Sequence, residues 1–435
     1  MDHTFSASDT FFARYTFDDS YYYFGLAYNP FIQSEPTRGQ FTTLSENHVF
    51  SPSLLNSARF SFSRTAAHIS SPSDIGPFNF NIIPGQVVPG MGTFQITGVT
   101  TSTQGSGFGP TSSLPTYATQ NIFTWSDDLF WEKGKHSFKF GTLINYYQQD
   151  MFNQNPARGT FSANSIASFL AGTFSSIGTD VSPVPADAFR HYRNDTLGFY
   201  AQDDLKVRPN LTLNLGLRYE FATVERDRDG RDAIGTPTCV FPCFQVGPLY
   251  KNPYLHNFSP RIGFAWDVFG NGKMSVRGGG SLLYDVETLG EEINGTVDKS
   301  PPFGNGLTLA PAAGSFTIPI SLAGSKNSPE QNPTSGFANN LIAPKTYQWN
   351  LTVERQLPWT MALEVSYVGS RGIHLLGGGD YNPWPFTIQN GQPFWPAYVA
   401  NNTNPDGTCK AGFVCRLVNP SFGAFGVTQG GTDSH

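Results

Sequence analysis

The sequence predicts an all-β fold: an antiparallel up-and-down transmembrane β-barrel, partial, with about eleven long strands. Three observations predict it. Thr196–Phe221 alternates apolar and polar residues with period two over two strands of about 11 residues each, the length that crosses a bilayer at a tilt. Composition exchanges charge for aromatics: charged residues are 14% and aromatics 14%, with 38 Phe and 18 Tyr, where soluble domains carry about 25% charged residues. The connections alternate short, long, short, long, which puts every short turn at one end of the strands and every long loop at the other. A Greek-key sandwich mixes its connections.

Other classes are excluded on the same grounds. Mean hydropathy is −0.27, and nowhere do about 18 apolar residues run together, so helical spans are not expected. A barrel escapes that test because each strand is half polar. The net charge of −6 and the lack of Lys/Arg runs argue against nucleic acid as a partner. The first residues, MDHTFSASDTFFARYTF, have neither a basic region nor an apolar run and do not read as a secretory leader. They read as a strand end followed by a strand, as in a segment of a larger barrel.

In chain order, Asp2–Phe5 is a strand end and Ser6–Asp9 a turn. Phe11, Ala13, Tyr15 and Phe17 then alternate with Phe12, Arg14, Thr16 and Asp18. A loop of aromatic and polar residues is expected next, then a weaker strand over 40–50, a turn at Ser51-Pro52-Ser53 and a strand over 54–64. Residues 65–116, rich in Gly, Pro, Ser and Thr, read as a long surface loop. Phe123, Trp125, Leu129 and Trp131 share one strand face, Glu132–Lys135 turns the chain, and Phe138, Phe140, Ile144 and Tyr146 return it. Residues 152–190 form another long connection, with one short helix over 165–171.

Strands at 196–207 and 211–221 follow, joined by Arg208-Pro209-Asn210, where Pro presets φ and Asn tolerates the turn. Leu211, Leu213, Leu215, Leu217, Tyr219 and Phe221 are expected to face outward. Ile262, Phe264, Trp266 and Val268 then pair through Gly270-Asn271-Gly272 with Met274, Val276, Leu282 and Tyr284; Asn-Gly is a strong hairpin signal. After a long loop over 288–343, Tyr347, Trp349, Leu351 and Val353 turn at Pro358-Trp359 into Met361, Leu363, Val365 and Tyr367. Beyond Gly377 the chain reads as loop. An odd count of strands, where complete bacterial barrels have even ones, predicts an open sheet with unpaired backbone along Met361–Ile373.

The hairpins GKHSFKFG, DTLGFYAQDDLKVRPNLTLNLGLRYEF, FSPRIGFAWDVFGNGKMSVRGGGSLLYD and QWNLTVERQLPWTMALEVSYVGSRGIHL resemble those of TonB-dependent outer-membrane receptors, and most closely the Oar-like group. The resemblance covers most of Phe11 to Leu376. It implies residence in the outer membrane of a Gram-negative cell, with membrane lipid around the wall. It implies energy-coupled uptake of a large nutrient, such as an oligosaccharide, siderophore or peptide, captured at extracellular loops. It also implies a partner, the TonB complex, acting through a plug domain that is not visible in residues 1–435. The alternative is a structural or adhesive surface protein without transport.

The polar strand faces carry Asp204, Asn214, Arg218, Glu220, Arg277, Gln348, Asn350, Glu354 and Glu364. In a barrel these line the lumen, where they bond water, one another, a plug or a substrate. Trp125, Trp131, Trp266, Trp349 and Trp359 are expected near strand ends as an interfacial girdle. Cys239 with Cys243, and Cys409 with Cys415, are close pairs in predicted loops, expected as local disulfides in an oxidising compartment. A four-Cys zinc site is the rival, disfavoured because the spacing is not CxxC.

No catalytic motif of the GxSxG, HExxH or P-loop kind is present, so no enzyme and no cofactor is expected. His48, His136 and His374 lie near strand ends and read as interfacial polarity rather than metal ligands. The stretch RDRDGRD, with Asp227, Asp229, Gly230 and Asp232, has some features of a calcium loop. Its order is wrong for an EF-hand and three Arg interleave, so a self-neutralised loop is expected. Gly278-Gly279-Gly280 either lets a ligand or plug approach the wall or lets the sheet bend.

Overall fold

The computed structural model describes residues 1–71, 81–84, 86–101, 106–154, 156–181, 188–235, 244–251, 255–286, 302–309, 319–320, 335–337, 342–380, 385, 387–394 and 426–432. One antiparallel sheet forms the wall. Its strands are β1 (Asp2–Thr4), β2 (Asp9–Gly25), β3 (Ile32–Ser51), β4 (Leu54–Ile69), β5 (Thr116–Lys133) and β6 (His136–Asn153). They continue with β7 (Phe189–Arg208), β8 (Leu211–Ala222), β9 (Phe258–Asp267), β10 (Met274–Tyr284), β11 (Lys345–Gln356) and β12 (Ala362–Ile373). Order in the sheet is order in the chain, and the two-residue strand Arg226–Asp227 pairs with β7 besides. All but β1 are ten residues or longer, which matches the expected long strands of an up-and-down wall.

Each short turn is built by local chemistry. Gly134 turns β5 into β6 at φ +63°. Between β9 and β10, Asp267 accepts hydrogen bonds from Gly270 N at 3.1 Å and Gly272 N at 2.8 Å, and both glycines adopt positive φ. Pro209-Asn210 joins β7 to β8 with a bulge just before it, between Lys206 and Arg208. Trp359 and Thr360 both take φ 60° between β11 and β12, a conformation that L side chains adopt at a cost.

The expected hairpin at 196–221 forms in the expected register, Leu197 opposite Phe221 and Leu205 opposite Leu213. Leu215 and Leu217 are exposed. Leu215 is also paired with Ile262, and Leu217 with Pro260, so this apolar face continues across the wall. Among the described residues no second sheet covers it. The wall therefore has the two-faced character of a membrane barrel.

Three expectations need correction. The loop expected after Asp18 is instead the upper part of β2 and β3, which reach Gly25 and start at Ile32. Tyr21, Tyr22 and Tyr23 in succession erase the period-two signal, while the backbone ladder, Tyr23 opposite Ser34, continues regardless. The chain beyond Gly377 is not all loop. Leu375–Asp380 pairs with Gly426–Thr432, and a small hairpin joins Thr387–Gln389 to Gln392–Phe394.

The tryptophans do not all sit at strand ends either. Trp131 and Trp266 lie near the short turns and Trp359 in one, but Trp125 pairs with Phe60 and Ile144 inside β5, and Trp349 with Gly280 and Gly369 inside β11. At about 3.3 Å per residue and a tilt of about 40°, Trp125 stands roughly 20 Å above its turn. That is close to the height of an apolar band of about 25 Å, so Trp125 and Trp349 mark its upper border.

The long connections fold. Strands Thr93–Ile96, Thr160–Ala163, Ser176–Val181 and Asn305–Leu309 make a separate four-stranded sheet. The expected helix is present as α1 (Ile166–Leu170), capped by Ser165 accepting from Ser168 N. Phe31, Phe94, Phe161, Phe174 and Ile177 are almost fully buried against one another, with Phe94 and Phe161 stacked at 5.0 Å. Gly92 lets two of these segments touch, since a Cβ there would stand 2.3 Å from Gly159 O. Most of the apolar core of the described structure lies in this cap at the long-loop end, and the wall adds Met151 and Phe152 of β6 and Tyr192 of β7.

Candidate functional site

All nine polar residues expected in the lumen lie on the face opposite Leu215 and Leu217, as strand alternation requires. The ladder registers align them into rows. One row runs Asp204, Asn214, Gly263, Gly279, Asn350, Val368 across six strands. The next runs Gln202, Gly216, Arg261, Ser281, Gln348, Ser370. Between them lies a groove of about 550 Å³ lined by Gln202, Asn214, Arg261, Gln348 and Asn350. Gly263 and Gly279 are its floor, and without side chains they keep it deep.

The glycine triplet thus serves both faces. Gly279 opens the groove on the polar side. On the apolar side a Cβ at Gly278 would meet Phe264 Cε1 at 2.9 Å and Leu351 Cδ1 at 3.2 Å, so the neighbouring side chains close over it.

The remaining polar-face residues pair locally. Asn214 Nδ2 donates to Asp204 Oδ1 at 2.7 Å, Arg218 Nε to Glu220 Oε2 at 2.6 Å and Ser275 Oγ to Glu354 Oε2 at 3.1 Å. Arg277 stands 3.4 Å from the same Glu354 oxygen. Ser366 Oγ donates to Glu364 at 3.0 Å. Arg261 has no carboxylate partner among the described residues. It is the cation that the groove presents.

Sequence reasoning missed a second polar cluster on this face. Tyr200 OH donates to Asp128 Oδ1, and Lys139 Nζ lies 3.4 Å from Asp128 Oδ2 and 4.9 Å from the Phe130 ring centre. The Asp128–Tyr200 bond passes over Gly141, where a Cβ would come within 2.6 Å of both. Strand parity alone puts Asp128 and Lys139 on the polar face; only the register brings them together.

Outside the wall, the loop after β8 is held by its own ions. Asp227 accepts from His191 N at 2.8 Å and Arg231 N at 3.0 Å. Asp229 is bonded to Arg228 at 2.9 Å and to Arg231. Hydrogen bonds from Arg228 and Arg231 lower the Asp229 carboxyl to about 2. Burial raises that of Asp232 to about 6, with the like charge of Asp227 adding to the effect. The carboxylates are used by arginines and backbone N–H groups, the arrangement of a self-neutralised loop.

His136 Nδ1 pairs with Asp203 Oδ2 at 2.7 Å, and His48 Nδ1 contacts Asp9. His374 follows β12 with φ 55°. Cys239, Cys243, Cys409 and Cys415 lie outside the described residues.

A wide antiparallel wall with one lipid-type face, one polar face, short turns at one end and a folded cap at the other defines an outer-membrane β-barrel. The family assignment agrees. Residues 1–421 match the family described as outer membrane beta barrel domain, and the chain belongs to that family. Its place is therefore the outer membrane of a Gram-negative cell. Among solved structures it is similar to the outer membrane transporter YddB from Escherichia coli, at 12% identity and a TM-score of 0.54, covering 88% of this chain and 40% of that one. It is also similar to the FrpB iron transporter from Neisseria meningitidis, at 11% identity and a TM-score of 0.46, covering 86% and 44%. The chain thus spans less than half the length of these structures. No curated protein matches it by sequence.

Proposed function

We propose that residues 1–435 are part of the wall of a TonB-dependent transporter of the Oar-like group, which takes up a large nutrient with energy supplied through a plug domain. The observation that supports this most is the polar groove over Gly263 and Gly279. A wall of this many strands belongs to a barrel too wide for its own side chains to fill. A lumen of that width needs another occupant, and the amides and guanidinium of Asn214, Gln348, Asn350 and Arg261 suit one rich in backbone carbonyls or hydroxyls. The nine polar-face residues then contact plug or substrate, and the loop cap is the capture surface.

The test is uptake by cells making the full-length receptor. Internalisation of a labelled oligosaccharide, siderophore or peptide that stops when the proton gradient is collapsed supports transport. Surface binding that persists without internalisation, whatever the gradient, supports the adhesive alternative.

A further inference from the structure

We propose that Asp9, Glu46 and His48 bind one divalent transition-metal ion of the zinc class at the short-turn rim of the wall. The register places Asp9 directly opposite His48, with Glu46 two residues along β3 on the same face. One ligand atom from each residue lies within 4.8 Å of the others. The site lies on the same face as Leu217, close to the short turns, where the His48 and Asp9 side chains are 34% and 31% exposed.

Three features favour a cation there. First, Asp9 is already oriented. Ser6 and Ser8 hydroxyls donate to its Oδ2, which turns Oδ1 toward His48. Second, Glu46 makes no hydrogen bond or ion pair among the described residues, and no Lys or Arg pairs with either carboxylate. Glu46 is the carboxylate without a partner, and a cation shared with the His48–Asp9 pair supplies one. Third, the donor set is selective. Calcium and magnesium take oxygen ligands, whereas an imidazole with two carboxylates suits zinc and its neighbours. Water completes the coordination at this rim.

The consequence is mechanical. β2 is ladder-paired with β3 along its whole length, but with β1 only at Thr10–Phe12. An ion held by Asp9 on β2 and by Glu46 and His48 on β3 clamps the outer strand to the wall. It binds the folded pairing and not the unfolded chain, so it raises stability.

The test uses the whole chain in detergent micelles with Cys239, Cys243, Cys409 and Cys415 replaced by Ser, so that thiols cannot compete. Calorimetric titration with zinc chloride is expected to show one ion bound at about micromolar Kd or tighter. His48→Gln and Glu46→Gln should each weaken binding by at least about tenfold, with circular dichroism confirming the β fold. His136→Ala, which removes the other His–Asp pair of this end, should leave binding unchanged. Cobalt should give visible bands that vanish in His48→Gln, and zinc should raise the Tm of the parent only. Equal affinity in the parent and His48→Gln, or no saturable binding in the parent, overturns the proposal.

Discussion

At Gly279 a single methyl decides whether β9 and β10 keep their spacing. A Cβ there would stand 2.9 Å from the backbone oxygen of Ile262, which cannot rotate away, whereas at Gly280 the nearest atom is 3.7 Å off. Gly279→Ala should therefore destabilise the wall by about 1–3 kcal/mol, and Gly280→Ala should be neutral or slightly stabilising through reduced backbone freedom. Urea unfolding in micelles separates the two; equal effects would mean that the register here is wrong. A second residue-scale case is Asp232, whose Oδ1 is buried without a hydrogen-bond partner among the described residues while Oδ2 accepts from Asp227 N. Its folded carboxyl titrates near 6, above the unfolded value of about 3.9. Between those values the folded loop binds the extra proton, so its stability rises as pH falls through about 6 and levels off below about 4. Asp229, lowered to about 2, acts in the opposite sense and only below about 4. Hydrogen exchange of residues 226–235 should therefore slow from pH 7 to pH 5, after correction for intrinsic rates, and Asp232→Asn should show the slower exchange already at pH 7. Loss of protection over that interval would contradict the assignment.

Individual strands carry the two-faced character, and β8 tests it within adjacent residues. Leu217 lies between Ala201 and Pro260 with no charge beside it in the ladder, and is 49% exposed. On a lipid-facing strand, Leu217→Arg should cost about 2–4 kcal/mol if it lies near the midplane. Asn214→Arg, on the other face beside Asp204, should change stability by less than about 1 kcal/mol. Unfolding from lipid vesicles measures both, and a tolerated Leu217→Arg would remove the membrane face. This alternation was readable in the sequence because period two survives in β8 without interruption. It failed in upper β2, where three consecutive tyrosines hide it, and in the connections, where Phe94 comes from one loop and Phe161 and Phe174 from another, with no period to link them. The candidate site was half legible for the same reason. Parity put Asp204, Asn214 and Asn350 on one face, but only the register set them in a row with Gly263 and Gly279. Register also brings together Asp9 and His48, 39 residues apart in the chain.

At the scale of the whole molecule, the unresolved tension is the sheet's two edges. Among the described residues, Arg14–Gly25 of β2 and Ala362–Ser370 of β12 are each paired on one side only, and no ladder joins residues 10–18 to 361–373. In water an edge of N–H and C=O groups invites pairing with another chain. In hydrocarbon each unsatisfied group costs several kcal/mol, so an open edge cannot persist. Val365, Tyr367 and Val368 are more than 60% exposed along β12, which makes that edge adhesive as well as unsatisfied. Residues 1–435 alone in micelles should therefore self-associate through these edges, giving dimers or larger species by analytical ultracentrifugation. The amides of β12 that point away from β11 should exchange quickly in the monomeric fraction, while those bonded to β11 stay protected. A stable monomer with uniform protection along 14–25 and 362–370 would mean that the two edges find each other and the wall closes on itself as a small barrel. It would also remove the argument for a wide lumen, and with it the need for an occupant in the groove over Gly279.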